Sequence, residues 1–295
     1  MSKSVVLVSD IARELGKSKF IYALLILVMN VAIVLFSLSL PNKYKASATV
    51  VTVNSANNLT NQSGLGGLAA LAGVSIGTNS ADTTSQALIY LKSKSFINDF
   101  IDRHDLLADL FAVKAWKNEQ LIYDENLYSA ESQQWLSDEK GLLKPSQEEA
   151  HTGFLDMLEV NYEKSKGLIK LSVTHVSPEI SSKVANLLIE DINLFMEKLE
   201  IRKASEKMAY LRESMANEPV NGVNNFLSDL YEQQYKQLML ASINEGFVFQ
   251  FIDRAAPPEN KVSPKRSILC IVGFIFSFLI CIAHSIIKIL VKREE

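Results

Sequence analysis

SILCIVGFIFSFLICIAHSII, residues 267–287, runs for 21 residues without a charge, and FIYALLILVMNVAIVLFSLSLPN, residues 20–42, runs for 23. A helix rises about 1.5 Å per residue, so about 20 apolar residues match the roughly 30 Å hydrocarbon core of a bilayer. Two spans near the two ends of a 295-residue chain set its organisation and exclude a soluble enzyme, although 48% hydrophobic residues and a net charge of −3 look ordinary. The first run is longer than the apolar core of a secretory signal, about 7 to 15 residues, and no A-x-A-like cleavage site follows Leu40.

Charge gives the orientation. Lys3, Arg13, Lys17 and Lys19 precede the first span, whereas only Lys43 and Lys45 follow it before Lys92. Short basic flanks stay in the cytoplasm, which places the N-terminus there. At the second span Lys261, Lys265 and Arg266 balance Lys288, Lys292 and Arg293, and two crossings return the C-terminus to the cytoplasm. The loop over residues 43–266 carries 23 basic and 29 acidic residues, a net of −6, and the two tails carry a net of +3. A mildly acidic exported domain lacks the basic footprint of a nucleic-acid binder. Both cysteines, Cys270 and Cys281, lie in the second span, eleven residues apart on one helix face, so the loop has no disulfide framework.

The expected fold class is α+β: two transmembrane helices flanking a periplasmic α/β base domain with a long extended helical arm. The boundaries are a cytoplasmic tail (1–19), a span (20–42), the exported domain (43–266), a span (267–287) and a second tail (288–295). Within the domain the base covers 43–178 and 246–256, the arm 179–245 and a Pro-rich connector 257–266. Residues 44–54 (YKASATVVTVN) alternate as a strand. Residues 46–81 carry no charge and five glycines, Gly64, Gly66, Gly67, Gly73 and Gly77, and read as a loop around a short apolar helix at 65–71. Ala87, Leu88 and Leu91 mark one helix; Ser95 is placed to cap a second that buries Phe96, Ile97, Phe100 and Ile101. The polar stretch onward to Glu149, with Trp116, Tyr123, Tyr128 and Trp135, reads as pieces of helix.

Residues 157–162 and 168–174 form a strand pair around Lys166 and Gly167. Ser177 and Pro178 then open a helix as cap and first residue, uninterrupted by Gly or Pro over residues 179–217 and about 57 Å long. Its stripe of Val184, Leu188, Ile192, Phe195 and Leu199, shifting to Ala204, Met208, Leu211 and Met215, calls for a partner helix or a neighbouring subunit. Pro219 and Gly222 break it before a return helix at 223–242, and residues 247–252 (FVFQFI) lead back as a strand.

The catalytic motifs are empty. Gly73-Val74-Ser75-Ile76-Gly77 has the G-x-S-x-G spacing without the strand-to-helix turn that exposes a nucleophile, and Gly64, Gly66 and Ala69 imitate a dinucleotide fingerprint without its strand. His104, His151, His175 and His284 stand singly, without metal-ligand spacing, and no Walker A sequence is present. No catalytic residue, cofactor or metal is expected, and the chain is not read as an enzyme. In the connector, Pro257, Pro258 and Pro264 fix φ and remove donors, stiffening the approach to the membrane. Lys265 and Arg266 then fall at the outer headgroup boundary. Gly273 and Ser277 are a small-xxx-small pair suited to close helix approach, to the first span or to another membrane protein.

Four segments carry a family resemblance: GLGGLAALAGVSIG (64–77), SQALIYLKSKSFINDFI (85–101), GLIKLSVTHVSPEISSKVANLLIEDIN (167–193) and FIDRAAPPENKVSPKRSILCIVGFIFSF (251–278). In this order they resemble the bacterial chain-length determinants, the Wzz-type class 1 polysaccharide co-polymerases; residues 116–149 and 217–225 match nothing in that pattern. The resemblance implies a non-catalytic inner-membrane homo-oligomer, a ring or bell. Its partners would be a membrane polysaccharide polymerase and the lipid-linked glycan whose length it sets. O-antigen of lipopolysaccharide is the leading product, with enterobacterial common antigen, capsule and exopolysaccharide as alternatives. Neighbouring arms would then cover the Val184 to Leu199 stripe. With eight residues after Ile287, a fused kinase is not expected. A two-span receptor is the reading from another class, and it lacks a cytoplasmic output domain.

Overall fold

The computed structural model describes residues 19–53, 80–138, 141–217, 227–232, 235 and 247–294. The Gly-rich segment with both glycine motifs and Ser75, the basic residues Lys3, Arg13 and Lys17, Pro219, Gly222 and most of the expected return helix lie outside the described residues. The chain divides into two compact units, one of Met1–Lys43 with Lys261–Glu295 and the other Tyr44–Asn260.

The elements in chain order are α1 (Lys19–Ser39), β1 (Tyr44–Thr52), α2 (Ser80–Tyr90), α3 (Lys94–Arg103) and α4 (Leu107–Phe111). Short strands follow: β2 (Val113–Lys117), β3 (Gln120–Tyr123), β4 (Tyr128–Ser129), β5 (Gln134–Trp135), β6 (Ser137–Asp138) and β7 (Gly141–Leu142). The chain continues through α5 (Gln147–Met157), β8 (Leu158–Glu163), β9 (Leu168–His175), α6 (Pro178–Asn217), β10 (Phe249–Asp253) and α7 (Arg266–Glu294).

In the larger unit β10, β1, β9 and β8 form one antiparallel sheet in that order. Register pairs Ala46 with Val173, Ala48 with Leu171 and Val50 with Ile169. Because side chains alternate along a strand, these six share one face, and all are buried. Two alanines in the central strand leave room for α6, whose Ile180, Val184, Leu188, Ile192 and Met196 bury against this face. Ser177 Oγ accepts from Ile180 N at 3.3 Å, so the expected cap is formed.

The Val184, Leu188, Ile192, Phe195 and Leu199 stripe therefore needs correction. Val184, Leu188 and Ile192 have no exposed surface, and Phe195 meets Tyr90 and Phe96 at ring distances of 5.1 and 5.5 Å. The chain's own sheet and helices cover this part of α6. A face left for anything else lies elsewhere, as at exposed Leu194 and Tyr210.

Two asparagines missed by pattern reading fasten the last strand. Asn193 Oδ1 accepts from the N–H groups of Val248 (3.0 Å) and Phe249 (2.8 Å), and its Nδ2 donates to the Phe249 carbonyl at 2.8 Å. Asn186, one heptad earlier on the same face, does the same at Ala255, and between them Glu190 pairs with Arg254 at 2.6 Å. Buried backbone groups need such partners.

Two further expectations change. The cap of α3 is Ser93, not Ser95: its side chain accepts from Phe96 N. Among the described residues the stretch from Trp116 is not helical until α5; it folds as three two-stranded ribbons, β2–β3, β4–β5 and β6–β7. Asn118 and Glu119 turn the first with φ of 50° and 61°, left-handed values that Asn tolerates well. Aromatic pairs hold the ribbons, Tyr123 with Tyr128 at 5.3 Å and Tyr128 with Trp135 at 5.4 Å.

Candidate functional site

The smaller unit joins the two ends of the chain. Both α1 and α7 contain windows long and apolar enough to cross a membrane, Tyr22–Ser39 and Arg266–Ile287, of which 11% and 22% are buried. A soluble core helix would be mostly covered; here Leu24, Phe36, Ile271 and Phe276 are among many large side chains left exposed. Such surfaces suit hydrocarbon.

Where the two helices meet, a ladder of small residues runs along α7. Gly273, Ser277, Cys281 and Ser285 recur every fourth position, and all four are buried. A Cβ on Gly273 would lie 2.5 Å from Cδ1 of Ile33, so only glycine fits against that side chain as it stands. The Ser277 hydroxyl donates to the Gly273 carbonyl at 2.8 Å, satisfying itself within its own helix. Removing side-chain bulk lets backbones approach, which is how helices associate where lipid removes the hydrophobic drive. On α1, Asn30 Nδ2 donates to the Ile26 carbonyl at 2.8 Å, and Tyr22 meets the His284 ring edge-on at 6.0 Å. Sequence reasoning singled out Gly273 and Ser277 and missed Cys281 and Ser285, although the same four-residue step extends to them.

A polar collar ties the helix pair at one end. Lys43 N donates to the Ser263 carbonyl at 2.8 Å, and Val262 N donates to the Lys43 carbonyl at 2.9 Å. Asn42 Oδ1 accepts from Lys261 Nζ at 3.2 Å and from Arg266 Nη2 at 3.1 Å. Pro264 is half-buried beside it and Lys265 is exposed, while Pro257 and Pro258 belong to the larger unit. Arg266, placed by sequence among lipid phosphates, is thus engaged by Asn42. Neither Asn42 nor the pairing of Lys43 with Ser263 has a signature in a sequence where the partners lie over 200 residues apart.

The histidines have structural surroundings. His104 Nε2 lies 2.9 Å from Asp191 Oδ2, which also accepts from Arg103 Nη1 at 2.8 Å. His151 Nε2 is 3.0 Å from the Lys92 carbonyl, and His175 Nδ1 accepts from Ser177 N at 3.1 Å. Among the described residues no three His, Cys, Asp or Glu side chains converge as metal ligands.

Solved structures similar to this chain include two polysaccharide co-polymerases. One is a full-length bacterial polysaccharide co-polymerase, 10% identical, with a TM-score of 0.40, over 96% of this chain and 97% of that one. The other is a fragment of WzzB, a polysaccharide co-polymerase from Salmonella Typhimurium, 14% identical, with a TM-score of 0.31, over 75% of this chain and all of that one. No family model and no curated protein matches the sequence. At these identities and scores neither likeness assigns a function.

Proposed function

We propose that the protein is a non-catalytic inner-membrane scaffold that regulates the chain length of a lipid-linked surface polysaccharide. The observation that carries the reading is the smaller unit itself. One chain contributes a bilayer-length helix from each end, and Gly273 against Ile33 and the Asn42 to Arg266 collar lock the two together. The domain Tyr44–Asn260 is thereby anchored by both of its ends. An anchored domain with α6 as a 40-residue helix suits a scaffold better than an enzyme. The four Wzz-like segments supply the product class, with O-antigen as the leading candidate. In this reading the domain is periplasmic, the termini are cytoplasmic, copies of the chain assemble into a ring or bell, and the partner is a membrane polymerase.

Deleting the gene and resolving the surface polysaccharide on a gel tests the reading. Loss of the modal length with polymer still made supports it; an unchanged distribution overturns it. Phosphatase fusions test the topology, with activity expected inside residues 43–266 and none after Glu295.

A further inference from the structure

We infer that the ribbon segment builds a saccharide-binding groove on the larger unit. A cavity of about 420 Å³ opens between α3, α4 and the ribbons, lined by Asp102, Asp109, Tyr123, Tyr128, Gln133 and Trp135. That volume falls in the roughly 300–1,000 Å³ range of small-molecule sites. Its lining is unlike that of a site for an apolar ligand, because carboxylates and an amide share the wall with three aromatic rings. A sugar has the complementary surface: a rim of hydroxyls that donate to carboxylates and pair with amides, and a C–H face that packs on aromatic rings.

The ring cluster is fixed before any ligand arrives. Tyr128 stands between Tyr123 and Trp135, and Tyr123 donates its hydroxyl to Asp109 Oδ1 at 2.6 Å. Burial, then the Asp109 hydrogen bond, pushes the Tyr123 phenol well above its ordinary range, so it remains a donor throughout the working pH range. That bond consumes one Asp109 oxygen and leaves the second as an acceptor.

The groove continues past this cavity. A smaller one of about 110 Å³ shares Asp102 and Lys144 with it and adds Asn98 and Gln147. Beyond it a shallow depression open to solvent again includes Asp102, Asn98 and Gln147. Adjoining cavities with amide and carboxylate walls suit a chain of sugar units better than a single one. The choice of a polymer as ligand rests on the function proposed above, whereas the sugar chemistry of the cavity does not.

The test uses the full chain in nanodiscs, titrated calorimetrically with size-fractionated oligosaccharide released from the host cell's own surface polysaccharide. Saturable binding is expected, weakened roughly fivefold or more, about 1 kcal/mol, by Trp135→Ala and by Asp102→Ala. Trp116→Phe, outside the cavity, is expected to leave it unchanged. If Trp135→Ala disturbs the ribbons, Asp102→Ala, on the exposed side of α3, decides. Absence of saturable binding by the parent protein, or binding that survives Asp102→Ala, overturns the groove. Unchanged polymer lengths after gene deletion overturn the proposed function and leave the groove standing; normal length control without binding does the reverse.

Discussion

The Asn186 side chain and the Ala255 backbone close a ring of two hydrogen bonds: Nδ2 donates to the Ala255 carbonyl at 2.9 Å, and the Ala255 N–H donates to Oδ1 at 2.8 Å. The amide imitates a strand neighbour for a segment that has left its sheet. Replacing it with Leu strands a buried N–H and C=O, at about 2 kcal/mol. A thermal melt of Asn186→Leu is expected to fall by several degrees, with faster proteolysis around residues 249–256 than elsewhere. Proteolysis spread evenly over the domain would contradict this.

Leu188 is fully buried against the sheet of its own chain. Leu188→Ala is therefore expected to destabilise the protomer by about 3 kcal/mol, and Tyr210→Ala, at a residue 70% exposed, by less than about 0.5 kcal/mol. Denaturant unfolding of detergent-held protein at two concentrations separates folding from assembly. The Leu188→Ala loss should be independent of concentration.

Gly273 faces the tip of Ile33, a flexible group. Gly273→Ala is expected to be tolerated by a rotamer change at Ile33, whereas Gly273→Leu should force α1 and α7 apart. Cysteine cross-linking between the two helices measures it: efficiency retained in the first variant and lost in the second. If the proposed function holds, the second also loses length control while still inserting.

The α5 capping box contributes to the pH dependence. The Ser146 N–H and then its hydroxyl hold the Glu149 carboxyl below its ordinary range. A carboxyl whose folded pKa is depressed adds stability above its unfolded value, about 4.3, and loses it as pH falls through the folded value. Glu149→Ala should thus melt below the parent protein at pH 7, and the two melting curves should converge as pH falls below about 4. Glu159, lowered by its hydrogen bond to Lys45, adds in the same direction. A gap that widens in acid would refute the assignment.

Elements with a strong period and a chemical stop were legible in the sequence. The two spans, β1, the β8–β9 pair around Gly167 (φ 64°) and α6 from its Ser177 cap are of this kind. The ribbons were not, because strands of two to five residues hold no measurable alternation, and what fixes them is contact among Tyr123, Tyr128 and Trp135. The α6 stripe was visible as apolar, yet periodicity cannot say what covers it. Ala46 and Ala48, which let the sheet cover it, look like ordinary strand residues. Asn186 and Asn193 read as polar intrusions on an apolar face until the returning strand is seen. Of the membrane-proximal residues, Gly273 and Ser277 announced themselves by spacing. Asn42 became visible only once folding brought it to Arg266.

The small-residue ladder at Gly273, Ser277, Cys281 and Ser285 also bears on the unfolded state. Side chains with so few rotatable bonds forfeit little entropy when the helices pair, so the pairing can persist in the bilayer while the domain outside it is denatured. The denatured segment is then a loop of about 217 residues with both ends tethered. In the chain-entropy view, such closure raises the free energy of the unfolded ensemble by up to about 5 kcal/mol. Both cysteines are free and lie in α7; the membrane-held helix pair performs for this domain the cross-linking role that a disulfide performs elsewhere.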